Sequence, residues 1–268
     1  MLHADLTLAR QLELAEAQSQ ARYCASQGRL YPDVPSAVLW VGDACAIYTG
    51  PGSPLSRASG LGMSGPVTAA DLDLVEEFYH SRSVAARVDL SPFADPSLAA
   101  LLGRRGYRIQ MFLNVFVRSI GPNDRVTSAP STGVTVEIIG PDEERAWADT
   151  ISKGFGGEDA APEYPNIALC SLHTPGTLGF WARVHGEPAG GGSLHIQERL
   201  AAFFGGSTRT TMRGRGVQSA LLHARIAQAA AAGCDLATVK TTPGSASQRN
   251  VQRVGFVIAY TRPTLIKD

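Results

Sequence analysis

Arginine and glycine alternate at Arg213-Gly214-Arg215-Gly216, followed by Val217-Gln218-Ser219 and a run of helix-forming residues. These residue types in this order can hold a phosphate. A glycine turn that opens into a helix leaves the first backbone N–H groups without carbonyl partners, and the helix dipole adds partial positive charge. Arginine adds fixed charge and a donor fork suited to phosphate oxygens. The apolar stretch from Leu200, Leu-Ala-Ala-Phe-Phe-Gly-Gly-Ser-Thr, reads as a strand. The predicted order is therefore strand, phosphate loop and helix, and the guest it implies is a phosphate-bearing cofactor.

The spacing narrows the choice. A Walker-type loop needs Lys and then Ser or Thr after its second glycine, and Val217-Gln218 stand there instead. A dinucleotide fingerprint needs three glycines and an acidic residue about 20 positions on. Here there are two glycines, and Asp235 falls in a Gly-Cys-Asp connection rather than at a strand end. A nucleotide-dependent oxidoreductase thus rests on incomplete fingerprints.

The elements that must position this loop follow from periodicity. Apolar residues at 217, 221, 222, 226, 229 and 230 predict a helix over about 218–232 that stops at Gly233. Leu236-Ala-Thr-Val-Lys-Thr reads as a short strand, ended by Pro243-Gly244. Ser245 or Ser247 can cap a second helix over about 246–254. Gly255-Phe256 ends it, and a final strand starts at Val257.

Arg213-x-x-Gly216 within this order resembles the Q/R-x-x-G-x-G/A pyrophosphate loop of the GNAT N-acetyltransferase superfamily, with Gln218 in place of the last small residue. Asn250-x-x-Arg253-Val-Gly-Phe256 resembles that superfamily's closing motif. The resemblance covers about 134–266. It implies an α/β (α+β) fold in which each unit is a mixed, mostly antiparallel sheet flanked by helices. It also implies acetyl-CoA or coenzyme A as cofactor and transfer of an acyl group to an amine. The diphosphate would lie on Arg213, Gly214, Arg215, Gly216, Val217, Gln218 and Ser219, the pantetheine arm near Ser207 and Thr208, and Asn250 and Arg253 would border the cofactor. Many members carry a general-acid Tyr where this chain has Val251. Ser247, Asn250 and Tyr260 are the polar substitutes nearby, with Ser247 and Tyr260 taken as catalytic candidates. For the base, Glu158, Asp159 and Glu163 lie in the segment where acceptors usually enter, with Glu163 the chosen candidate. His173, His195 and Glu198 are the alternatives.

The chain also reads as double. Gly60-Leu-Gly-Met-Ser-Gly65 is a glycine loop without arginines, followed by a helix capped by Thr68, a strand at 84–90, a helix over 97–105, Gly106-Tyr107 and a strand from Ile109. Leu102-Gly-Arg-Arg-Gly-Tyr-Arg-Ile aligns with Val251-Gln-Arg-Val-Gly-Phe-Val-Ile. The expected organisation is a degenerate GNAT-like unit over 1–120, a polar linker over 121–133 and a catalytic unit over 134–268. A helix from about Asp5 and a hairpin around Gly42-Asp43 complete the first unit.

The 268 residues include 24 basic and 24 acidic ones and carry no net charge. No broad field toward nucleic acid or an anionic membrane is expected. Cys24, Cys45, Cys170 and Cys234 are scattered without a C-x-x-C pair, which predicts reduced, buried thiols and no metal site. Neither a membrane span nor a signal peptide is expected, so the default location is the cytoplasm. The partners implied are a small-molecule or peptide amine acceptor, with the chain a monomer or homodimer. The competing reading is a coenzyme A or acyl-CoA binding protein without turnover, which the missing Tyr favours.

Overall fold

A computed structural model describes residues 4–125, 133–157 and 163–268, and for 163–165 the backbone alone. The described chain falls into two compact units. One comprises residues up to Val115 together with Ile258–Asp268, the other Phe116–Val257.

The first unit opens with helix α1 (Leu6–Leu30), capped by Asp5, whose carboxylate accepts from the Leu8 N–H at 2.8 Å. Strands β1 (Ala37–Val41) and β2 (Ala44–Tyr48) form the expected hairpin, turning at Gly42 with φ +58°. Then come β3 (Ala58–Ser59), α2 (Ala69–His80), β4 (Ala86–Asp89), α3 (Pro96–Arg104) and β5 (Arg108–Ser119). Of the segment 51–59 only Ala58 and Ser59 pair. Leu72, Val75, Val88, Leu98 and Leu102 fill the core between helices and sheet.

The second unit contains β6 (Val134–Ile138), α4 (Glu144–Gly156), α5 (Glu163–Leu172), β7 (Thr177–Val184), β8 (Glu187–Gln197), β9 (Leu200–Thr208), α6 (Val217–Ala231), β10 (Leu236–Thr241) and α7 (Ala246–Arg253). The order β10-β9-β8-β7-β6 is antiparallel except for β9 and β10, which run parallel. From Phe116 onward β5 belongs to this unit, and Thr238 donates its hydroxyl to the Phe116 carbonyl at 3.0 Å. The expected linker is in part a 3-10 turn at Pro122–Arg125, and its residues 126–132 lie outside the described ones.

The last strand, β11 (Val257–Lys267), departs from the sequence expectation. Its residues from Ile258 belong to the first unit, where Thr264↔Asp89 through Lys267↔Ala86 pair it antiparallel with β4. An apolar β pattern specifies a strand but not its neighbour. What settles the matter is a buried ionic cluster. Arg262 lies 2.7 Å from Glu16 and 2.9 Å from Asp89 and also pairs with Glu13, while Arg57 lies 3.2 Å from Asp89. Glu13, Asp89 and Arg262 are each at most 1% exposed. Burial pushes the Glu13 carboxyl above the usual range, and the Arg262 guanidinium opposes that push. Removing β11 would strand the buried Glu13 carboxylate and take from Glu16 and Asp89 the cation they share with it.

Among the described residues no helix is long and apolar enough to cross a membrane, and no group of three His, Cys, Asp or Glu side chains could hold a metal ion. All four cysteines are free and buried.

Candidate functional site

The site is built where β9 parts from β10. The two pair from Leu200↔Leu236 to Phe203↔Val239 and no further, so the β9 edge beyond Phe203 has no β10 partner. On its other edge β9 carries a bulge. Gly191 faces Ser207 and Ser193 faces Phe204, which leaves one more residue on β9 than on β8. Gly205 supplies the left-handed backbone, φ +62°, that such a bulge favours. A bulge adds local twist and bends its strand, which suits the divergence of β9 from β10. The result is a β9 edge without a β10 partner, leading to the glycine loop.

That loop is shaped as the sequence implied. After a 3-10 turn at Thr210–Met212, Arg213 is extended, Gly214 has φ +77°, and Gly216 has φ 81° and ψ 3° at the N-cap of α6. No side chain caps α6. Its first backbone acceptor, the Gly216 carbonyl, is taken by Ala220 N–H at 3.0 Å, so the N–H groups of Val217, Gln218 and Ser219 lie ahead of the helical ladder. A Cβ at Gly214 would meet nothing within 4 Å, so the loop stands clear of its own protein. Arg215 and Ser219 are exposed. The loop therefore offers donors, positive charge and room to an anion.

Three predicted binding residues hold the loop in place. Arg213 donates to the Gly154 carbonyl at 3.2 Å and toward the Thr208 carbonyl at 3.5 Å. Gln218, which breaks the family's small-residue rule, turns its side-chain amide back to the Thr208 hydroxyl at 2.8 Å. Its backbone stays in the first turn of α6. The Ser207 hydroxyl donates to the Ile151 carbonyl at 3.0 Å, which binds α4 to β9. A Cβ at Gly154 would come within 2.6 Å of the Ser207 Cβ and 3.0 Å of Thr208 N. Gly154 is thus a requirement of the site that the sequence reading missed, because nothing local marks a glycine inside a helix as a contact point.

The glycine run on β8 has the same explanation from two sides. A Cβ at Gly191 would lie 2.7 Å from Nε1 of Trp147, and one at Gly192 would lie 2.9 Å from Nη1 of Arg225. Trp147 on α4 donates to the Phe180 carbonyl at 3.0 Å. Arg225 on α6 donates to the Ser193 carbonyl at 3.1 Å and the Phe204 carbonyl at 3.4 Å. The sequence held one signal here, an arginine interrupting the apolar face of a helix.

The catalytic candidates have different local surroundings. Ser245, rather than Ser247, caps α7, accepting from Gln248 N–H at 3.1 Å, which leaves Ser247 exposed on the first turn. Asn250 accepts from Arg253 at 3.0 Å on the exposed side of α7. Val251, at the family's Tyr position, is buried in the core with Phe203 and Phe256. Tyr260 departs from its expected role. It belongs to the first unit, and its hydroxyl donates to Glu13 at 2.7 Å. Burial and the Glu13 charge raise its pKa far beyond the range of an acid that works at neutral pH. Glu163 opens α5, and its side chain, like all of Glu158 and Asp159, lies outside the described residues. His173 sits 2.7 Å from Glu144, and His195 is buried 3.1 Å from the Thr177 hydroxyl. Glu198 lies in the β8–β9 turn with φ 54°, at the end of β9 opposite the loop.

The first unit's glycine loop is finished differently. Thr68 and Asp71 make a reciprocal capping box at the start of α2, with Asp71 accepting from Thr68 N–H at 2.8 Å. The helix N-terminus that could meet an anion there is occupied by a carboxylate of the chain itself.

No protein-family profile matches the sequence, and no curated protein matches it. Solved structures do. A GCN5-related N-acetyltransferase from Kribbella flavida superposes with a TM-score of 0.65 at 17% identity, over 92% of this chain and 95% of that one. One from Sphaerobacter thermophilus gives 0.60 at 16% identity, over 87% and 75%. A tandem GNAT protein from the clavulanic acid biosynthesis pathway gives 0.60 at 14% identity, over 93% and 94%. The expected class, two tandem units each with a mixed, mostly antiparallel sheet flanked by helices, is the class observed.

Proposed function

We propose that this chain, which has the fold of the GCN5-related N-acetyltransferases in two tandem units, is an acyl-CoA-dependent N-acyltransferase whose active unit is the second. The observation that carries the reading is the coincidence, in one unit, of an unpaired β9 edge with an uncapped, glycine-preceded helix N-terminus at its end. The first suits an extended amide-bearing arm, which can pair like an added strand. The second suits the diphosphate to which that arm is joined. Acetyl-CoA has this anatomy, and bound there its thioester supplies an activated acyl carbon and a thiolate leaving group.

The protein's part is to bind and orient. Backbone N–H groups of residues 214–219 take the diphosphate, with Arg213 and Arg215 adding positive charge. A peptide N–H near Gly206 to Thr208, beside the bulge, polarises the carbonyl oxygen on which negative charge develops. The acceptor amine must arrive neutral and lose a proton as its nitrogen bonds the acyl carbon and the carbon–sulfur bond breaks. Glu163 is the candidate for taking that proton. Ser247 is the candidate for returning one to the thiolate, which needs little help because thiols are acidic. Asn250 and Arg253 border the cofactor from α7. The acceptor is a small-molecule or peptide amine. Burial of Val251 favours one alternative, acyl-CoA binding without turnover.

Calorimetric titration with acetyl-CoA, wild type beside Gly216→Asp, tests the reading. Aspartate tolerates the left-handed backbone better than most residues but sets a carboxylate against the diphosphate. Micromolar binding lost in a folded variant is the expected result. No binding by folded wild type would sink the proposal. Binding without any transfer across an amine screen would leave the non-catalytic alternative.

A further inference from the structure

Arg225 is a buried cation with no anion beside it among the described residues. Its residue is 2% exposed, and among the described residues no carboxylate forms an ion pair with it. Burial lowers its pKa to about 10, which leaves the guanidinium charged at neutral pH. A buried charge without a partner is costly, and such groups are rare unless something holds them. Here three main-chain carbonyls and a ring do. Nε donates to the Leu221 carbonyl at 3.0 Å, Nη1 to those of Ser193 and Phe204, and the guanidinium carbon lies 5.1 Å from the Phe203 ring centroid.

The placement of those acceptors matters. Ser193 and Phe204 are the facing residues at which the β8–β9 register shifts, so Arg225 spans the bulge. Phe203 is also the last β9 residue paired with β10. The chain makes room for the guanidinium with two glycines: a Cβ at Gly192 would lie 2.9 Å from Nη1, and one at Gly206 would lie 3.4 Å from Nη2. A buried leucine or methionine would fill this space without a desolvation cost.

Resting on the acyltransferase reading, we propose that Arg225 is a positioning residue for acyl transfer: it clamps the β9 bulge and sets an uncompensated positive charge behind the peptide groups that receive the thioester carbonyl. The charge is not spent on any described carboxylate, so its field acts on charge that develops at the open edge. The clamp at Phe204 fixes where residues 206–208 present their N–H groups. A loop anchor would serve cofactor affinity, whereas this residue serves carbonyl polarisation.

The test compares wild type, Arg225→Met and Arg225→Lys, with folding checked by circular dichroism. Affinity for coenzyme A is measured by calorimetry. Isotope-edited infrared spectroscopy of bound acetyl-CoA, labelled with carbon-13 at the thioester carbonyl, reports polarisation directly. In wild type the carbonyl band should fall below its position in solution. Arg225→Met should return it toward the solution position while coenzyme A affinity stays within about threefold, and Arg225→Lys should restore part of the shift. A folded Arg225→Met protein with the wild-type band overturns the proposal, as does parallel loss of affinity and shift, which would mark a merely structural role. If Arg225→Met does not fold, Gly192→Ala displaces the guanidinium while keeping its charge in the protein. It should move the band in the same direction, and an unmoved band there overturns the proposal. Failure of wild type to bind acetyl-CoA would overturn the acyltransferase reading and this role with it, an outcome distinct from binding with an unshifted band.

Discussion

Gln218 and Thr208 are joined across the glycine loop, the side-chain amide of one donating to the hydroxyl of the other at 2.8 Å. The bond ties the first turn of α6 to the last residue of β9 and holds the two ends of the loop at fixed separation. A neutral hydrogen bond of this kind contributes about 1 kcal/mol. Gln218→Ala should therefore weaken acetyl-CoA binding about fivefold, as should Thr208→Val. The double variant should be no worse than either single one. Additive losses in a calorimetric double-mutant cycle would show that the two side chains act separately.

Gly154→Ala should be costly for a reason visible only in three dimensions. The added methyl would meet the Ser207 side chain and Thr208 N, pushing α4 from β9. Overpacking of this kind costs about 1–3 kcal/mol. Chemical denaturation should register that loss, together with weaker acetyl-CoA binding, since Arg213 donates to the same residue's carbonyl. An unchanged midpoint would mean that the helix yields freely.

Ser247→Ala separates assistance from necessity. General acid catalysis contributes about 100-fold or more where it is needed, and a thiolate leaves readily without it. The expected result is a fall in kcat of less than about tenfold with KM for acetyl-CoA unchanged. A larger fall in steady-state assays would make Ser247 essential to proton return.

Arg262→Leu probes the buried cluster of the first unit. It would leave Glu13, Glu16 and Asp89 without their shared partner. Breaking a buried ion pair from one side costs about 3–5 kcal/mol. Thermal unfolding should show a large drop in midpoint at pH 7, easing as the pH is lowered and Glu13, whose carboxyl burial pushes up, becomes neutral. A drop that does not change with pH would point to lost packing instead.

Asp124 links stability to acid. Arg118 lies 2.6 Å from its carboxylate and the Gly121 N–H donates to it at 2.9 Å, holding its pKa below the ordinary 3.8. The unfolded chain binds this proton more readily than the folded one. The contribution is therefore present above pH 3.8 and is lost as the pH falls below it. Asp124→Asn should cost less than about 1 kcal/mol at pH 7, the usual worth of a partly exposed pair. The gap from wild type should close in acid. A constant gap across a pH series of denaturation curves would exclude this linkage.

Much of the fold was legible because its signals are local. The 3.6-residue periodicity of α6, the Thr68 cap of α2, the Gly42-Asp43 hairpin turn and the strand-loop-helix order around Arg213 each depend on residues within a turn or two of one another. The glycine loop could be read for the same reason, since positive φ and a free helix N-terminus belong to one short segment. The two-unit architecture was also written in the order of elements.

What tertiary structure alone decided is long-range. Pairing of β11 with β4 joins residues far apart in the chain, and the commitment of Tyr260 to Glu13 that comes with it joins residues nearly a chain length apart. Strand patterning is blind to partner choice because every strand carries the same hydrogen-bonding edge. The inward turns of Gln218 and Arg213, the close approach that requires Gly154, and the bulge spanned by Arg225 likewise depend on the packing of separate elements. The sequence by itself determined which elements form and where an anion could sit. Packing decided which side chains remain available for chemistry, because a polar group buried by the fold must first satisfy its own hydrogen bonds.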